Sequence, residues 1–211
     1  MSDANLSSAD LTGDDLSWTD LSDGKLLGAS FTDVTFGECY TPSLCGSVDL
    51  DGARLRGLNL SHQFLNSAQL TGADLSGADL MLATLGPLPG GEIPNLTGAN
   101  LNNSDLQNFG FGGAIMAGVH LHGADLVNAG LGGAVLNGVN LHGLNLTDAG
   151  LSFAEVKDAN LSDADLTGAN VEYSDLTGAD LRSTNSTGAT YYGANLSNAD
   201  MRFGNMTDAV L

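Results

Sequence analysis

Histidines are the side chains in this chain best suited to hold a metal ion, and their spacing does not complete a site. The four histidines are His62, His120, His122 and His142. His122 and His142 are separated by twenty residues, and two imidazoles that meet in space can share a zinc ion. A zinc site needs three or four protein ligands, and no third ligand of the right type is placed nearby. The sequence therefore predicts no metal site.

The acidic and hydroxyl side chains are plentiful, but they too lack the arrangement of a catalytic site. The 211 residues include 25 Asp and Glu against 6 Lys and Arg, a net charge of −19. Most aspartates recur at a fixed interval, which is typical of a solvated face rather than of an acid/base pair. No base is arranged to activate a serine or threonine, and the glycines open no helix that would form a phosphate loop. We therefore predict no enzymatic activity and no cofactor.

The element that positions all these residues is a repeat of five. The stretch 159–170 reads Ala-Asn-Leu-Ser-Asp, Ala-Asp-Leu-Thr-Gly, Ala-Asn. Each unit has a small residue, Asp or Asn, a large apolar residue that we call the centre, and two small polar residues. Centres recur every five residues from Leu6 to Phe36, from Leu50 to Leu85 and from Leu96 to Leu211.

A period of five suits neither a helix nor a regular strand. The centre and the small residue two positions before it, as in Ala164 and Leu166, point to the same side of an extended segment, so both are predicted to face inward. The residue two after the centre is usually Gly, Asn or Asp, which tolerate the positive φ of a turn. Four such corners close a square coil of twenty residues, and coils stack through parallel hydrogen bonds at ~4.8 Å. About ten coils make a rod on the order of 48 Å long.

Tandem Ala-(Asp/Asn)-Leu-x-x units resemble the pentapeptide repeat proteins. The resemblance covers nearly the whole chain and implies an all-β fold, a right-handed quadrilateral parallel β-helix, with residues 1–211 as a single solenoid. The segment 111–123 aligns with 131–143, four units later, which supports a coil of four units. A recent duplication without structural meaning is the alternative explanation of that echo.

Two segments break the pattern. Residues 37–49 contain Pro42, which cannot donate to a ladder, and residues 86–95 contain three prolines and three glycines, a composition typical of a projecting loop. From Phe36 to Leu50 is 14 residues, three units less one, and from Leu85 to Leu96 is 11, two units plus one. Cys39 and Cys45 in the first break are expected to be free thiols, with a bridge that pins the break as the alternative.

A neutral belt covers residues 106–147, where Asp125 is the only formal charge. Glycines leave almost no side chains standing above its backbone, and apolar residues face outward beside them. An uncharged, flat surface next to a loop favours a contact with another protein. The predicted contact residues are Leu88, Glu92, Ile93, Gly112, Gly113, Ile115, Gly132, Gly133 and Val135.

The sequence therefore favours a protein-binding scaffold with an acidic surface. The alternative is a DNA mimic, because resemblance to the fluoroquinolone-resistance and self-resistance members of that family implies binding to DNA gyrase in place of DNA. B-DNA carries roughly 28 charges over ~48 Å, and −19 is of that order. A remote alternative is ice binding by the ladder of Thr147, Thr167, Thr187 and Thr207.

The same composition bounds location and partners. A net negative charge disfavours direct nucleic-acid and anionic-membrane binding. No apolar run approaches ~18 residues, and the segment 1–6 does not resemble a signal peptide, so we expect a cytoplasmic protein. Trp18 follows a centre by two residues and is expected outside, packing at a corner or forming a contact.

The last centre, Leu211, has no capping helix after it. A solenoid end exposes core and unpaired strand edge, so end-to-end pairing through Met206, Val210 and Leu211 would form a dimer. A frayed last coil is the equal alternative.

Overall fold

Single-residue parallel bridges between successive coils define the fold. The computed structural model describes residues 4–14, 25, 29–30, 49–63, 65–87 and 92–211. Over the described residues after 92, bridges join residues twenty apart, as in the series from Asn145 to Asp165, Asn185 and Asn205. No helix forms within the described ranges, and thus none that could cross a membrane. The chain is a parallel β-helix with four five-residue units in each coil.

Four walls result, because each unit contributes one bridge residue and one turn. Wall A carries Asn59, Asp79, Asp105, Asp125, Asn145, Asp165, Asn185 and Asn205. Wall B carries Thr84, Gly110, Gly130, Gly150, Asn170, Thr190 and Val210. Wall C carries Asn5, Lys25, Asp49, Gln69, Asn95, Ile115, Val135, Glu155, Asp175 and Asn195. Wall D carries Asp10, Ser30, Arg54, Asp74, Asn100, His120, Asn140, Asn160, Asp180 and Asp200.

The core is a double stack of large and small side chains. The predicted inward residues are buried throughout the central coils, with Ala164 and Leu166 each 1% exposed. Aromatic residues replace aliphatic ones at a few inward positions, where the rings of Phe109 and Phe111 pack edge to face at 4.4 Å. Buried Tyr191 forms a hydrogen bond of 2.8 Å through its hydroxyl with Ser186 Oγ, and its burial raises the pKa of Tyr191. Ser186, a polar residue at a centre position, therefore has a hydrogen-bond partner inside the core.

Within the described residues, each corner except that of Gly86 and Pro87 carries a turn residue with positive φ, as the repeat predicts. Gly133 and Gly143 have φ of 67° and 66°, and Asn128 has 56°. The same conformation is also adopted by bulky residues, namely Leu82, Phe153, Tyr173 and Phe203. Side chains of this size rarely adopt a left-handed backbone, so the repeat geometry holds them there.

The outward Asp and Asn columns also take part in the fold. The N–H of Thr167 donates to Asp165 Oδ1 at 3.0 Å, and the Thr167 hydroxyl donates to the same oxygen at 2.5 Å. This side-chain hydrogen bond to the residue two later is an Asx turn, and it recurs at most Asp and Asn bridge residues. Asp and Asn both supply the required side-chain oxygen, so the turn depends on the position of that oxygen and not on the charge of the side chain.

The two breaks insert residues without shifting the walls. Bridges join Lys25 to Asp49 and Ser30 to Arg54, a spacing of 24, and Gln69 to Asn95 and Asp74 to Asn100, a spacing of 26. These coils therefore contain four and six residues more than the usual twenty. Relative to five units of five residues, the first spacing is one residue short and the second is one residue long, so the predicted deficit at the first break and its restoration at the second are both present. Residues 37–48, including Cys39 and Cys45, lie outside the described residues, as does Trp18.

Candidate protein-binding surface

One corner of the solenoid, between walls B and C, brings together most of the predicted contact residues. We call it the glycine–aromatic corner. Each coil contributes its two turn residues, and the described pairs are Gly86 and Pro87, Gly112 and Gly113, Gly132 and Gly133, Ser152 and Phe153, Glu172 and Tyr173, and Tyr192 and Gly193. Backbone hydrogen bonds fix the stacking, since the N–H of Gly113 donates to the carbonyl of Gly132 at 2.9 Å.

The second break starts from this corner. Pro87 lies against Gly113, whose Cβ, if it had one, would be 3.7 Å from the proline Cδ. The chain returns at Pro94, whose carbonyl accepts from the N–H of Ile115 at 2.9 Å. The side-chain amide of Gln69 donates to the Ile93 carbonyl at 3.1 Å and holds the returning segment. Both ends of the loop are therefore anchored on wall C or at its edge.

The predicted contacts are open to solvent to different degrees. Glu92 and Ile93 are exposed, with Ile93 55% exposed. Gly132 and Gly133 are exposed, whereas Gly112 and Gly113 are half-buried. Ile115 and Val135 are half-buried and bridge to each other. Leu88 lies outside the described residues.

Sequence reasoning missed the aromatic side chains at the upper end of this corner. Phe153, Tyr173 and Tyr192 are 67%, 48% and 57% exposed. The Phe153 and Tyr173 rings stack with centroids 5.2 Å apart and an angle of 10°, and Tyr192 meets Tyr173 edge to face at 5.6 Å. The sequence did contain a signal for this cluster, because Phe153 and Tyr173 each follow a centre by two residues and lie twenty residues apart.

The opposite corner, between walls D and A, is polar and internally paired. We call it the paired corner. Its described pairs from the same coils are Asn102 and Asn103, His122 and Gly123, His142 and Gly143, Ser162 and Asp163, Arg182 and Ser183, and Arg202 and Phe203.

Two arginines of the paired corner are bound by wall D aspartates. Arg182 donates to Asp180 at 2.8 and 2.6 Å, and Arg202 donates to Asp200 at 2.8 and 2.6 Å. The hydrogen bond from Arg202 lowers the pKa of Asp200 to about 2. The hydrogen bond from Arg182 likewise lowers the pKa of Asp180. These cations are therefore engaged within the chain.

His122 and His142 lie one coil apart in a shallow groove beside this corner. Wall D is interrupted here, because no bridge joins His120 to Asn140. Val119 and Val139, which precede these two residues, are buried at inward positions where the repeat usually has a smaller residue. The imidazole Nδ1 of His142 is 2.8 Å from the Ser162 carbonyl oxygen. Among the described residues, no three His, Cys, Asp or Glu side chains are grouped as metal ligands.

The threonine ladder follows the corner between walls A and B, and its hydroxyl protons are used internally. Thr147 and Thr187 donate their hydroxyls to Asn145 and Asn185, each at 2.7 Å. The Asn185 amide in turn donates to Thr167 Oγ1 at 2.8 Å. A face whose hydroxyls are already bonded to neighbouring side chains has fewer donors to order water, which disfavours ice binding.

At the C-terminal coil, the residues predicted to pair end to end are partly open. Val210 and Leu211 are 51% and 73% exposed, and Met206 is half-buried against the core.

Comparisons with known proteins identify the repeat. The sequence model described as Pentapeptide repeats matches in 8 copies, over residues 1–37, 49–86, 95–133, 114–152, 124–163, 145–182, 159–190 and 174–211. No curated protein sequence matches significantly.

Similar solved structures include HetL, a pentapeptide repeat protein involved in heterocyst differentiation regulation from the cyanobacterium Nostoc sp. strain PCC 7120. It is 26% identical with a TM-score of 0.41, over 100% of this chain and 88% of that one. QnrB1, a plasmid-mediated fluoroquinolone resistance protein, is 17% identical with a TM-score of 0.46, over 96% of this chain and 90% of that one.

Proposed function

The chain belongs to the pentapeptide repeat family, and from that premise we propose that it is a non-enzymatic scaffold that binds a protein partner along the glycine–aromatic corner. Members of this family are generally structural or binding proteins. The observation that carries the proposal is the uneven distribution of charge around the solenoid. Described wall B bridge residues include no acid, and wall C has none from Asn95 to Val135, although Asp49, Glu155 and Asp175 lie elsewhere on it. Walls A and D carry aspartates in many coils, among them Asp105, Asp125, Asp180 and Asp200.

A partner that docks on the glycine pairs of this corner meets a flat backbone rather than long charged side chains. Gly132 and Gly133 offer no side chain that must be ordered or desolvated on binding, and such ordering costs about 0.5–1.5 kcal/mol for each immobilised flexible side chain. The loop anchored at Pro87 and Pro94 adds exposed Glu92 and Ile93 at one end. The corner therefore combines low binding cost with a projecting element that supplies specificity.

The test is photo-cross-linking from matched positions on the two corners. A benzoylphenylalanine is placed at Gly132 or at His142, which are both exposed first turn residues, and the full chain is expressed in cells of its source. We expect one predominant protein adduct from position 132 and none of that mass from position 142. Equal adducts from both positions would contradict a partner that docks on the glycine–aromatic corner.

The second candidate is a DNA mimic that binds gyrase, and the net charge of −19 favours it. Its acidic surface would be the adjacent walls A and D, on the far side of the solenoid from the glycine–aromatic corner. Supercoiling by purified gyrase with added protein separates the two candidates. Inhibition that is lost when Asp105 and Asp125 become lysine would support the mimic, whereas no inhibition and no rescue from a fluoroquinolone would remove it.

We also propose that two copies associate through the C-terminal coil. Exposed Val210 and Leu211 provide apolar surface, and a coil edge offers backbone groups for pairing. Light scattering should give a dimer for the parent and a monomer for Leu211→Asp. A parent that is monomeric at high concentration would refute the association.

We also propose that the β-helix is right-handed. Its length should be about ten coils, because a repeat solenoid adds one coil per four units. A crystal structure of the full chain would establish both. A cytoplasmic location remains a proposal that fractionation of the source cells tests.

A further inference from the structure

The aromatic end of the glycine–aromatic corner has the composition of a receptor for a cationic side chain. Phe153, Tyr173 and Tyr192 present ring faces and edges to solvent. Aromatic faces attract guanidinium and ammonium groups through the quadrupole of the ring. We propose that these rings bind arginine side chains of the partner protein, an inference that rests on the proposed scaffold function and names the chemistry of its partner.

The rings occupy positions where the backbone disfavours them. Phe153 and Tyr173 have φ of 61° and 56°, a conformation that glycine, asparagine or aspartate adopts far more readily. Gly133 fills the equivalent position one coil before, with φ of 67°. Strained side-chain choices of this kind cluster at functional sites because another benefit must offset the strain.

The rings are also held as an ordered unit. The N–H of Phe153 donates to the Glu172 carbonyl, and the N–H of Tyr173 donates to the Tyr192 carbonyl, each at 3.0 Å. Gly193 leaves space for the Tyr173 ring, since a Cβ there would come within 2.7 Å of the ring. A partner group therefore meets a preformed surface, which reduces the entropy lost on binding.

The side chains that surround the rings carry a net negative charge. Glu172 directly precedes Tyr173, and the bridged pair of Glu155 and Asp175 lies on the adjoining wall C. Lys157 is shared between Glu155 at 3.9 Å and Asp175 at 3.3 Å. Three carboxylates against one ammonium leave a net charge of −2 beside the rings.

That charge decides among the possible occupants. A nucleic acid could stack bases on the rings, but its phosphates would be repelled by the carboxylates. A second copy of this chain offers only 6 Lys and Arg side chains, of which Arg182 and Arg202 already bind its own aspartates. An arginine gains from both features, because its planar guanidinium stacks on an aromatic face while its N–H groups reach a carboxylate such as Glu172.

The experiment titrates the purified full chain with a hexapeptide of alternating arginine and leucine. The ring signals of selectively labelled tyrosine and phenylalanine are followed by nuclear magnetic resonance. The same peptide with citrulline in place of arginine keeps the shape and removes the charge. We expect the Phe153, Tyr173 and Tyr192 signals to move, and the citrulline peptide to bind about tenfold or more weakly.

Two variants locate the effect. Replacing both Phe153 and Tyr173 by glycine suits the corner backbone and should weaken the arginine peptide about tenfold or more. Phe203→Gly, on the paired corner, should leave the affinity within about twofold. If the double variant does not fold, Glu155→Gln with Glu172→Gln should weaken the peptide several-fold and reduce its dependence on salt.

Equal binding of the citrulline peptide, or full binding by the double variant, would overturn the inference. Tighter binding of a cello-oligosaccharide or of oligothymidylate at the same rings would overturn it as well. The scaffold proposal fails separately. Suppose that a cross-linked partner still binds the double variant but does not bind Gly133→Arg. The corner would then remain the docking site, and only the proposal that the rings bind arginine would be refuted.

Discussion

The glycine–aromatic corner and the paired corner share one backbone and carry opposite surface chemistry. Gly133 and Gly143, one on each corner, have φ of 67° and 66°. On the paired corner, Arg182 and Arg202 bind aspartates of the same chain. On the glycine–aromatic corner, the exposed side chains are short or contact only one another. The repeat therefore determines the backbone, while the outward side chains can differ from corner to corner and give each corner its own surface chemistry.

That freedom explains where to look for function in such a solenoid. An Asp or Asn at a bridge position follows from the turn it forms, as Asp165 does with Thr167, and carries little information about a partner. Bulky rings at corners are disfavoured by the backbone, and where they also lie against one another, as Phe153 and Tyr173 do, they indicate a role outside the fold. Departures from the repeat are more informative than its regular members.

The largest expected effect comes from a comparison of wall A, which borders the paired corner, with wall B, which borders the glycine–aromatic corner. Asn185 on wall A accepts the Thr187 hydroxyl at 2.7 Å and donates to Thr167 at 2.8 Å and to Asp165 at 3.2 Å. Asn185→Ala should lower the free energy of unfolding by about 2–3 kcal/mol, because several hydrogen bonds are lost together.

Its control is Thr190→Ala on wall B, where the bridge is retained and no side-chain hydrogen bond is given up. That variant should change the free energy of unfolding by no more than about 0.5 kcal/mol. Chemical denaturation measures both, and equal losses would show that the polar ladder contributes nothing beyond the bridges.

The second comparison adds one methyl group to a glycine of each corner. Gly193 and Gly143 both have positive φ, so alanine should cost about 1 kcal/mol at either. At Gly193 the new Cβ would also meet the Tyr173 ring, whereas nothing lies within 4 Å at Gly143. Gly193→Ala should therefore lose about 2 kcal/mol in all, since the aromatic contacts are displaced as well. Equal denaturation midpoints for the two variants would mean that the ring cluster is not ordered in solution.

A third comparison removes one ring from each corner. Phe203 is 85% exposed, and Phe203→Gly should stabilise the protein by about 1 kcal/mol by relieving a strained turn. Phe153→Gly gains the same relief but loses a stacked partner worth about 0.5–1.5 kcal/mol, so its midpoint should hardly move. A gain of the same size in both variants would contradict a stabilising Phe153 and Tyr173 stack.

The smallest expected effect is a pH dependence at the paired corner. Arg202 lowers the pKa of Asp200 from 3.8 to about 2, so the folded state favours the ionised carboxylate. The resulting stability is fully present above pH 3.8 and is lost as the pH falls through about 2. Asp200→Asn should therefore be less stable than the parent above this range and equal to it below.

Phe153→Gly serves as the reference for that titration, because it removes no ionisable group. Its stability relative to the parent should not depend on pH. A difference between Asp200→Asn and the parent that persists below pH 2 would show that the aspartate acts through something other than its charge.

Sequence alone predicted the repeat, the inward residues and the corners, because these depend on local periodicity and on turn chemistry. It located both breaks but not how many residues each adds to its coil, since a count of 14 or 11 residues fits several combinations of units, and the bridges from Lys25 to Asp49 and from Gln69 to Asn95 decide between them. The ring cluster was also missed. The stacking of Phe153 on Tyr173 depends on which units lie one coil apart, and on a strained backbone that propensity argues against.

The central claim is that the partner docks on the glycine–aromatic corner and not on the paired corner. The most direct test is the affinity of the partner, once identified by cross-linking, for Gly133→Arg and for Gly143→Arg. The two substitutions carry the same backbone penalty, because their φ values are 67° and 66°. We predict that Gly133→Arg weakens binding about tenfold or more and that Gly143→Arg changes it by less than about twofold. Equal losses, or a loss confined to Gly143→Arg, would contradict the account.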